Sequence, residues 1–577
     1  MSDELLARAR AFRDGDPDPA TQRELGALID AGDLAELRER MAGPLEFGTA
    51  GLRGVLGAGE SRMNRAVVRR TTAGLAAYLA RQVPDARERG VVVGHDARHQ
   101  SRAFAEDCAA VLAAAGFRVW LFADVGPTPL VAFGVLHHRA ACGVMVTASH
   151  NPPEYNGYKV YWEDGAQIIP PHDAGISAAI AAQPPARLVP LADLCAAQAD
   201  GRVATLSPEV TEAYFQRIAA LGADARGRDG VRIVVTAMHG TGAPWTREAL
   251  RRAGFSSVSP VPEQELPDPD FPTVKFPNPE EPGAMDLALA QAAREGANLV
   301  LANDPDADRL AVAIPARAGW RLLTGNEIGA LLGEYLLRAR PEGGASRLVL
   351  TTIVSSPLLV RVAEALGVRY AETLTGLKWI CAEARRQEAE GARFVFGYEE
   401  ALGYCVGNVR DKDGVSAAAV FAELAAVAGA EGRTVEDELG RIAQAYGLYV
   451  SGQHSVVHKG ADGLAAIRAT MARLRASARG SIGGLAVVGV RDVEAGTCRR
   501  ADGAVSALSL PRSDVVMFDL EGGSRVVARP SGTEPKIKFY FDVCERWAPG
   551  EPFDVARARA EARRGRVVAE FLELAGA

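Results

Sequence analysis

The fold is decided by residues 143–161, which read GVMVTASHNPPEYNGYKVY. The short apolar run 144–146 predicts a buried strand. It ends in a loop of small and turn-forming residues that carries Ser149, and Lys159 follows on a second extended segment. Because open α/β sheets place their chemistry in loops just past the carboxyl ends of strands, Ser149 is a candidate nucleophile. For this loop alone an ordinary surface turn is equally consistent, since Asn, Pro, Gly and Ser fill turns in most proteins.

The same pattern, an apolar strand followed by a polar loop, recurs along the chain. It appears at residues 91–98, 231–242, 299–309 and 394–404. Strands that alternate with helical segments predict α/β domains. From about residue 450 shorter segments follow, which favour a smaller α+β domain. We therefore expect four domains, at residues 1–205, 206–322, 323–448 and 449–577.

Composition limits the function classes. The 577 residues are 48% hydrophobic and 24% charged, with a net charge of −7, which is typical of a globular protein and argues against nucleic-acid binding. The N-terminus lacks the order of a secretory signal, and no stretch approaches the roughly 18 apolar residues of a membrane span. We expect a cytoplasmic protein without a membrane partner. The seven scattered cysteines favour reduced thiols over disulfides or zinc.

Three aspartates, Asp304, Asp306 and Asp308, alternate along the loop after the strand at 299–302. Carboxylates this close repel each other unless a cation lies between them. Oxygen ligands favour a hard ion, with Mg²⁺ first. A calcium-binding EF-hand is disfavoured, because its sixth and twelfth positions would be Arg309 and Pro315. A solvated acidic turn is the alternative interpretation.

Phosphate binding is suggested by the segment 529–538, RPSGTEPKIK. Hydroxyl groups and backbone N–H donors lie beside Arg529 and Lys538, a combination that suits a phosphate. The basic edge of a strand is the alternative. Arg53, in the glycine-rich segment 46–54, is a weaker indication of an anionic ligand.

Sugar binding is suggested by Glu399 and Glu400, which follow the strand at 394–396 between glycines and tyrosines. Carboxylates accept hydrogen bonds from sugar hydroxyls, although paired glutamates are also common on solvated surfaces. Single residues such as His239 and Lys378 are more often structural than catalytic.

Together these loops describe phosphoryl transfer through a serine, and their motifs resemble those of the α-D-phosphohexomutase superfamily. The matching stretches are TASHNP (147–152), DPDADR (304–309), GYEEALG (397–403) and RPSGTEP (529–535). They occur in the family's order and span almost the whole chain. The segments RDKDG (410–414) and TLTGLKW (373–379) are similar to those of the phosphoglucomutase-2/phosphopentomutase-like branch.

The resemblance implies three α/β domains of mixed sheets flanked by helices, and a C-terminal α+β domain of the TATA-binding-protein type, around a central cleft. It implies these catalytic residues: Ser149, His150, Lys159 and Arg309. The implied metal ligands are Asp304, Asp306, Asp308 and Ser149, through its phosphate. The implied substrate-binding residues are Arg53, Lys378, Glu399, Glu400, Arg529, Ser531, Gly532, Thr533 and Lys538, with His239 a weaker match.

The implied activity is interconversion of glucose 1-phosphate and glucose 6-phosphate by a monomer or homodimer, with Mg²⁺ and with glucose 1,6-bisphosphate as activator and intermediate. Many hexomutases carry Ser in the sugar loop where this chain has Ala401, so a pentose or mannose phosphate is the alternative substrate. A haloacid-dehalogenase-like enzyme would use an aspartate nucleophile, but Asp308 stands where that family usually has Thr or Val. A sugar bisphosphate synthase and a non-catalytic phosphosugar-binding protein are further alternatives.

Overall fold

The computed structural model describes residues 2–48, 51–316, 319–407, 409–458, 463–531, 536–548 and 550–576. The chain divides into two compact units. Unit 1 comprises Met1–Leu322 and Gly403–Ala430, and unit 2 comprises Leu323–Leu402 and Glu431–Ala577. The division into four domains, with boundaries at 205/206, 322/323 and 448/449, remains a prediction.

Up to residue 322 the helices and strands are, in chain order, α1 (Ser2–Gly15), α2 (Pro19–Ala31), α3 (Leu34–Arg40), β1 (Leu52–Val55), α4 (Arg65–Gln82), α5 (Ala86–Arg89), β2 (Val91–His95), α6 (Ser101–Ala114), β3 (Val119–Leu121), α7 (Thr128–His138), β4 (Cys142–Val146), β5 (Tyr155–Trp162), α8 (His172–Ala181), α9 (Leu194–Ala199), β6 (Val203–Thr205), α10 (Pro208–Ala219), β7 (Ile233–Thr236), α11 (Gly242–Arg252), β8 (Val258–Pro260), α12 (Asp286–Glu295), β9 (Leu299–Ala302), β10 (Ala311–Ala316) and β11 (Gly319–Leu322).

The remaining elements are α13 (Gly325–Ala339), β12 (Arg347–Thr352), α14 (Leu358–Ala365), β13 (Arg369–Thr373), α15 (Leu377–Ala389), β14 (Arg393–Glu399), β15 (Gly403–Cys405), α16 (Gly414–Ala430), α17 (Val435–Tyr446), β16 (Leu448–Val457), α18 (Gly463–Ala476), β17 (Ser481–Ile482), β18 (Leu485–Asp492), β19 (Thr497–Arg500), β20 (Val505–Ala507), β21 (Val516–Leu520), β22 (Arg525–Pro530), β23 (Lys536–Glu545) and α19 (Phe553–Ala575).

The first sheet of unit 1 has the strand order β1-β5-β4-β2-β3-β6. Its strands β4, β2, β3 and β6 are parallel, whereas β5 runs antiparallel to both of its neighbours, β4 and β1, so the sheet is mixed. Strand β4 is buried along its whole length, as its apolar sequence predicts. Met145 of β4 pairs with Lys159 of β5, which brings Lys159 beside the strand end that leads to Ser149.

The second sheet of unit 1 has the order β11-β10-β9-β7-β8 and is also mixed. Strands β7, β8 and β9 are parallel, and β10 returns antiparallel to β9. The aspartate loop is therefore the connection between β9 and β10. Strand β9 is fully buried, which fixes the start of this loop.

The three N-terminal helices α1, α2 and α3 form a small core of their own. It contains Leu5, Ala9, Leu25, Ile29, Leu37, Met41 and Ala58. Asp18 and Asp33 cap α2 and α3 by accepting hydrogen bonds from backbone N–H groups of the first turn, which stabilises both helix starts.

Unit 2 contains two sheets. Strands β13, β12 and β14 are parallel and form the α/β sheet of this unit. The second sheet is antiparallel, in the order β16-β23-β22-β21-β18-β19-β20, with β17 paired to β18. Helices α18 and α19 cover one face of it, through residues such as Leu474 and Phe571. The opposite face packs Val527 and Tyr540 against Ile353 and Leu374 of the α/β part.

Together these sheets give α/β architecture with helices on the sheet faces and a further sheet-rich C-terminal part, which confirms the predicted fold class. Within the described residues no single helix is long and apolar enough to span a bilayer. The bent pair of α16 and α17 meets the criteria of length and apolar composition only when the two helices are taken together.

Candidate active site

Ser149 lies in a tight turn past the end of β4 and is 1% exposed. Its backbone adopts a left-handed conformation (φ 53°), which is uncommon for a residue with a side chain. The backbone N–H of Ser149 donates to Oγ1 of Thr147 at 2.8 Å. Its own Oγ donates to Oδ2 of Asp304 at 2.7 Å and lies 3.2 Å from Nδ1 of His150. The turn thus aims the predicted nucleophile at the aspartate loop.

Asp304, Asp306 and Asp308 are all buried, with one carboxylate oxygen of each within 4.8 Å of the others. Thr128, at the start of α7, donates its hydroxyl to Oδ2 of Asp306 at 2.6 Å. Within the described part of the chain, Oδ1 of Asp306 and Oδ1 of Asp308 are buried and accept no hydrogen bond. Buried carboxylate oxygens without a donor are costly unless a cation binds them. The oxygen-only donor set and its free oxygens therefore fit a hard divalent ion.

Basic side chains face this acidic cluster. Lys159 is fully buried, and its Nζ donates to Asp306 at 2.7 Å and to Asp308 at 2.8 Å. Lys412 Nζ lies 3.6 Å from Oδ2 of Asp308, and Arg309 Nε lies 3.9 Å from its Oδ1. Three cations thus face the three carboxylates and offset much of their charge.

The pKa values of these groups follow from burial and from their neighbours. Burial, reinforced by Asp306 and Asp308, raises the pKa of Asp304 well above its usual value. For Asp308 the effect of burial is outweighed by Lys159 and Lys412, so its pKa is lowered. The pKa of Lys159 is raised because its two aspartate partners outweigh burial. Burial, together with Arg309 and Arg53, lowers the pKa of His150, which favours the neutral imidazole.

Arg53 lies on β1 at the edge of the same sheet. Its Nη1 donates to Oδ1 of Asn151 in the serine loop at 3.1 Å. Burial lowers the pKa of Arg53, although Asp306 acts in the opposite direction. The structure therefore brings this predicted substrate-binding residue to the serine loop.

In unit 2 the two predicted sugar-binding carboxylates lie at the end of β14. Glu399 is buried, and the Oε2 of Glu400 accepts hydrogen bonds from Oγ1 of Thr352 and Oγ of Ser355, each at 3.3 Å. The backbone N–H of Glu400 donates to the same Ser355 hydroxyl at 3.2 Å. Thr352, the last residue of β12, and Ser355, which follows that strand, fix the orientation of Glu400 through these hydroxyl groups.

The predicted phosphate-binding residues lie on β22 and β23 of the same unit. Arg529 and Lys538 are direct partners in the antiparallel register, so their side chains share one face of the sheet. Tyr540 is buried on that face and hydrogen-bonds to Arg529. Burial, together with the charge of the nearby Glu400, raises the pKa of Tyr540. Ser531 donates its N–H to the carbonyl of Lys536 at 2.7 Å. The predicted residues Gly532 and Thr533 lie outside the described residues.

Two further predicted residues have simple local positions. Lys378 is half-buried in the first turn of α15, after Gly376 with its left-handed φ of 111°. His239 is buried in the loop after β7, where its Nε2 lies 2.8 Å from Oγ1 of Thr273.

Sequence reasoning missed several residues that the structure brings to these loops. In unit 1 they are Arg98, Thr128 and Lys412, and in unit 2 they are Thr352, Ser355 and Tyr540. A signal was available for Arg98, because it follows β2, the strand next to β4, at the same sheet edge. For Thr128 and Tyr540 no such pattern exists, since their positions depend on packing between distant segments.

The three α/β parts match known domain families. Residues 44–187 match phosphoglucomutase/phosphomannomutase α/β/α domain I, residues 212–317 match domain II, and residues 324–446 match domain III.

Curated relatives extend over nearly the whole chain. The "Probable phosphoribomutase" of Schizosaccharomyces pombe is 38% identical over 92% of this chain and 92% of its own length. The "Probable phosphomannomutase" of Haemophilus influenzae is 40% identical over 87% of this chain and 96% of its own. The human "Glucose 1,6-bisphosphate synthase" is 36% identical over 92% of this chain and 88% of its own.

A solved structure agrees with the fold. The crystal structure of parafusin (phosphoglucomutase) from Paramecium, in an open form, superposes with a TM-score of 0.67 over 92% of this chain and 94% of its own, at 18% identity. With three matched domains and relatives at this level of identity, the chain belongs to the α-D-phosphohexomutase superfamily and is a phosphomutase, an intramolecular phosphotransferase of the isomerase class.

Proposed function

We propose that this phosphomutase interconverts glucose 1-phosphate and glucose 6-phosphate through a phosphoserine at position 149 and a sugar bisphosphate. The observation that carries the proposal is the 2.7 Å hydrogen bond from Ser149 Oγ to Asp304, at the edge of a buried carboxylate cluster with two free oxygens. A serine hydroxyl in this position can exchange a phosphoryl group with a sugar that reaches the loop.

Asp304, Asp306 and Asp308 would hold Mg²⁺, together with an oxygen of the phosphorylated Ser149. When bound, the ion neutralises charge on the transferring phosphoryl oxygens. Lys159 and Arg309 supply the remaining positive charge near the same oxygens. Phosphoryl transfer depends chiefly on such positioning and charge neutralisation, so this arrangement suits the reaction.

In the loading step the Oγ of Ser149 forms a bond to phosphorus, the bond from phosphorus to the sugar oxygen breaks, and that oxygen takes up a proton. The serine proton needs an acceptor. His150 has its Nδ1 3.2 Å from Oγ and is kept neutral by burial, which lowers its pKa. Lys159 is held protonated by its two aspartates, which raise its pKa, so His150 is the better acceptor.

The substrate site would use the residues of unit 2. Glu399 and Glu400 accept hydrogen bonds from sugar hydroxyls, while Arg529 and Lys538 bind the phosphate that is not being transferred. A sugar bisphosphate that turns over presents either phosphate to Ser149. This requirement for two orientations explains why glucose 1,6-bisphosphate would serve as both intermediate and activator.

A pentose phosphate is the second candidate substrate. It is favoured by Ala401, which lacks the hydroxyl that many hexomutases carry, and by the relative named phosphoribomutase. The relatives named phosphomannomutase and glucose 1,6-bisphosphate synthase mark two further possibilities. We also propose that the protein is cytoplasmic and acts on small phosphosugars as a monomer or homodimer.

The test is a coupled assay of glucose 1-phosphate, ribose 1-phosphate and mannose 1-phosphate with Mg²⁺ and glucose 1,6-bisphosphate. We expect the highest kcat/KM with glucose 1-phosphate. A higher value with ribose 1-phosphate would identify a phosphopentomutase instead. Net bisphosphate formed from an added acyl phosphate would identify a synthase.

A further inference from the structure

The guanidinium group of Arg98 lies beneath the Ser149 loop and is almost completely buried, with 4% of the residue exposed. Its Nη2 donates to the carbonyl oxygens of Ser149, at 2.7 Å, and Asn151. Its Nη1 donates to the carbonyl oxygens of Pro152, at 2.8 Å, and Tyr155, at 3.2 Å. One side chain therefore holds four carbonyl groups of the loop.

Arg98 is itself held in place. Its backbone N–H donates to Oδ1 of Asp96 at 3.0 Å, and the same carboxylate lies 3.5 Å from Nε of Arg98. The N–H of Asp96 donates to the carbonyl of Val146, the last residue of β4. On the other side, the guanidinium carbon lies 5.0 Å from the centre of the Phe271 ring. The arginine is thus fixed between the ends of two neighbouring strands and the second α/β part.

The loop needs such a support. Ser149 has a left-handed backbone, which is unfavourable for a residue with a Cβ and persists only when its surroundings hold it. In the proposed reaction the Oγ of Ser149 repeatedly gains and loses a doubly charged group beside buried carboxylates. Without an anchor for its carbonyl groups, the turn would move with each change of charge.

We propose that Arg98 is the positioning residue for phosphoryl transfer, which keeps Oγ of Ser149 in line with the transferring phosphorus. This role rests on the proposed function of Ser149. It needs an arginine, because a planar guanidinium offers five N–H donors in a fixed geometry. A lysine keeps the charge but has a single ammonium group that cannot reach four carbonyl groups spread along a loop.

The test compares Arg98→Lys with Arg69→Lys. Arg69 is the matched control, because it is a buried arginine of the same α/β part whose partner, Asp107, is also bound by Arg65. Each protein is loaded with labelled phosphate from glucose 1,6-bisphosphate. The rate of transfer from the phosphoserine to a sugar monophosphate, the loss of phosphate to water, the KM for glucose 1-phosphate and Tm are then measured.

We expect Arg98→Lys to slow transfer about 100-fold, as a nucleophile displaced by about 1 Å does. We also expect a larger share of the phosphate to be lost to water, with KM changed less than about threefold. Arg69→Lys should leave the transfer rate and this share unchanged. If Arg98→Lys does not fold, Asp96→Asn, which removes the charge facing Nε, should change transfer and water loss in the same direction by a smaller factor.

Wild-type transfer and wild-type water loss in Arg98→Lys, or in a folded Asp96→Asn, would overturn the role. An equal loss of transfer in Arg69→Lys at an equal Tm would also overturn it, because the effect would then be one of general stability. These outcomes differ from failure of the proposed function, in which the wild-type protein itself takes up no phosphate on Ser149 and both proposals fall.

Discussion

The Nζ of Lys159 donates a hydrogen bond of 2.7 Å to Oδ2 of Asp306, a residue that lies 147 positions away in the sequence. Both side chains are fully buried. The lysine enters from β5 and the aspartate from the loop after β9, so the pair joins the two α/β sheets of unit 1 at the edge where Ser149 lies. The charges of the site therefore depend on this contact.

Lys159→Met should destabilise the protein strongly in EDTA, because it removes the cation that Asp306 contacts at 2.7 Å and the nearest cation of the buried Asp308. Loss of one partner of a buried ion pair costs about 3–5 kcal/mol. In the proposed function Mg²⁺ binds the same carboxylates, so its addition should restore part of the lost stability. Thermal unfolding of wild type and variant in EDTA and in Mg²⁺ measures this, with Lys275→Met, an exposed lysine, as control. A Tm loss that is the same in EDTA and Mg²⁺ would contradict the shared site.

His150→Gln should lower kcat by a factor of roughly 10²–10⁴, because the imidazole that accepts the serine proton is lost. The pKa of His150 is lowered by burial and by Arg309, so the neutral base persists below the usual titration of histidine. In wild type, activity should fall only when the pH drops below about 6.5. The variant should lack this acid limb.

The pH–rate profiles of wild type, His150→Gln and His99→Gln measure this. His99 is the matched control because it is an exposed histidine that contacts Asp270. An unchanged acid limb in His150→Gln would assign the proton to another group.

Asp542→Asn should stabilise the protein at pH 8. Burial raises the pKa of Asp542 from 3.8 to about 6, although Arg525 and the hydroxyl of Ser451 act in the opposite direction. The folded protein thus binds this proton more tightly than the unfolded chain. Above pH 6 the ionised carboxylate costs stability, by up to about 3 kcal/mol, and below about pH 4 the cost disappears.

Urea unfolding of Asp542→Asn at pH 8, 6 and 4 measures this difference. The exposed Asp30 supplies the control variant Asp30→Asn. A stabilisation that stays constant from pH 8 to pH 4 would show that Asp542 does not titrate in this range.

Arg525→Met should raise the KM for the sugar phosphate about tenfold, which corresponds to roughly 1.4 kcal/mol. Arg525 donates to Glu372 and to the carbonyl of Ser355, the residue whose hydroxyl orients Glu400. Its loss therefore loosens the predicted sugar loop. Steady-state kinetics measure the change, and Arg500→Met, at an exposed arginine, is the control. An unchanged KM in a folded variant would show that the contact between Arg525 and Ser355 does not affect substrate binding.

The sequence predicted the parts of the site that follow strands. Ser149 and the three aspartates lie directly after β4 and β9, and a buried strand fixes where its following loop begins. The position of Lys159 could also be predicted from the sequence, because β5 returns along β4. These positions depend on local patterns that a single sequence displays.

Contacts between distant segments could not be predicted in the same way. Arg98 reaches four carbonyl groups more than 50 residues away, and Lys412 approaches Asp308 from the segment before α16. The stretch 184–201, which begins with two prolines, contains α9 and leads to β6 at the edge of the first sheet. These contacts depend on packing between segments that are far apart in the sequence, which a short motif does not predict.

The central claim is tested most directly by locating the phosphate on the protein. The wild-type chain is incubated with glucose 1,6-bisphosphate and Mg²⁺, and peptide mass spectrometry maps the modified residue. The Ser149→Ala variant is treated in the same way, and Ser481→Ala, at an exposed serine, is its control. We expect one phosphoryl group on Ser149, stable to hydroxylamine, present in Ser481→Ala and absent from Ser149→Ala. Phosphate on an aspartate, released by hydroxylamine, or undiminished labelling of Ser149→Ala would contradict the claim.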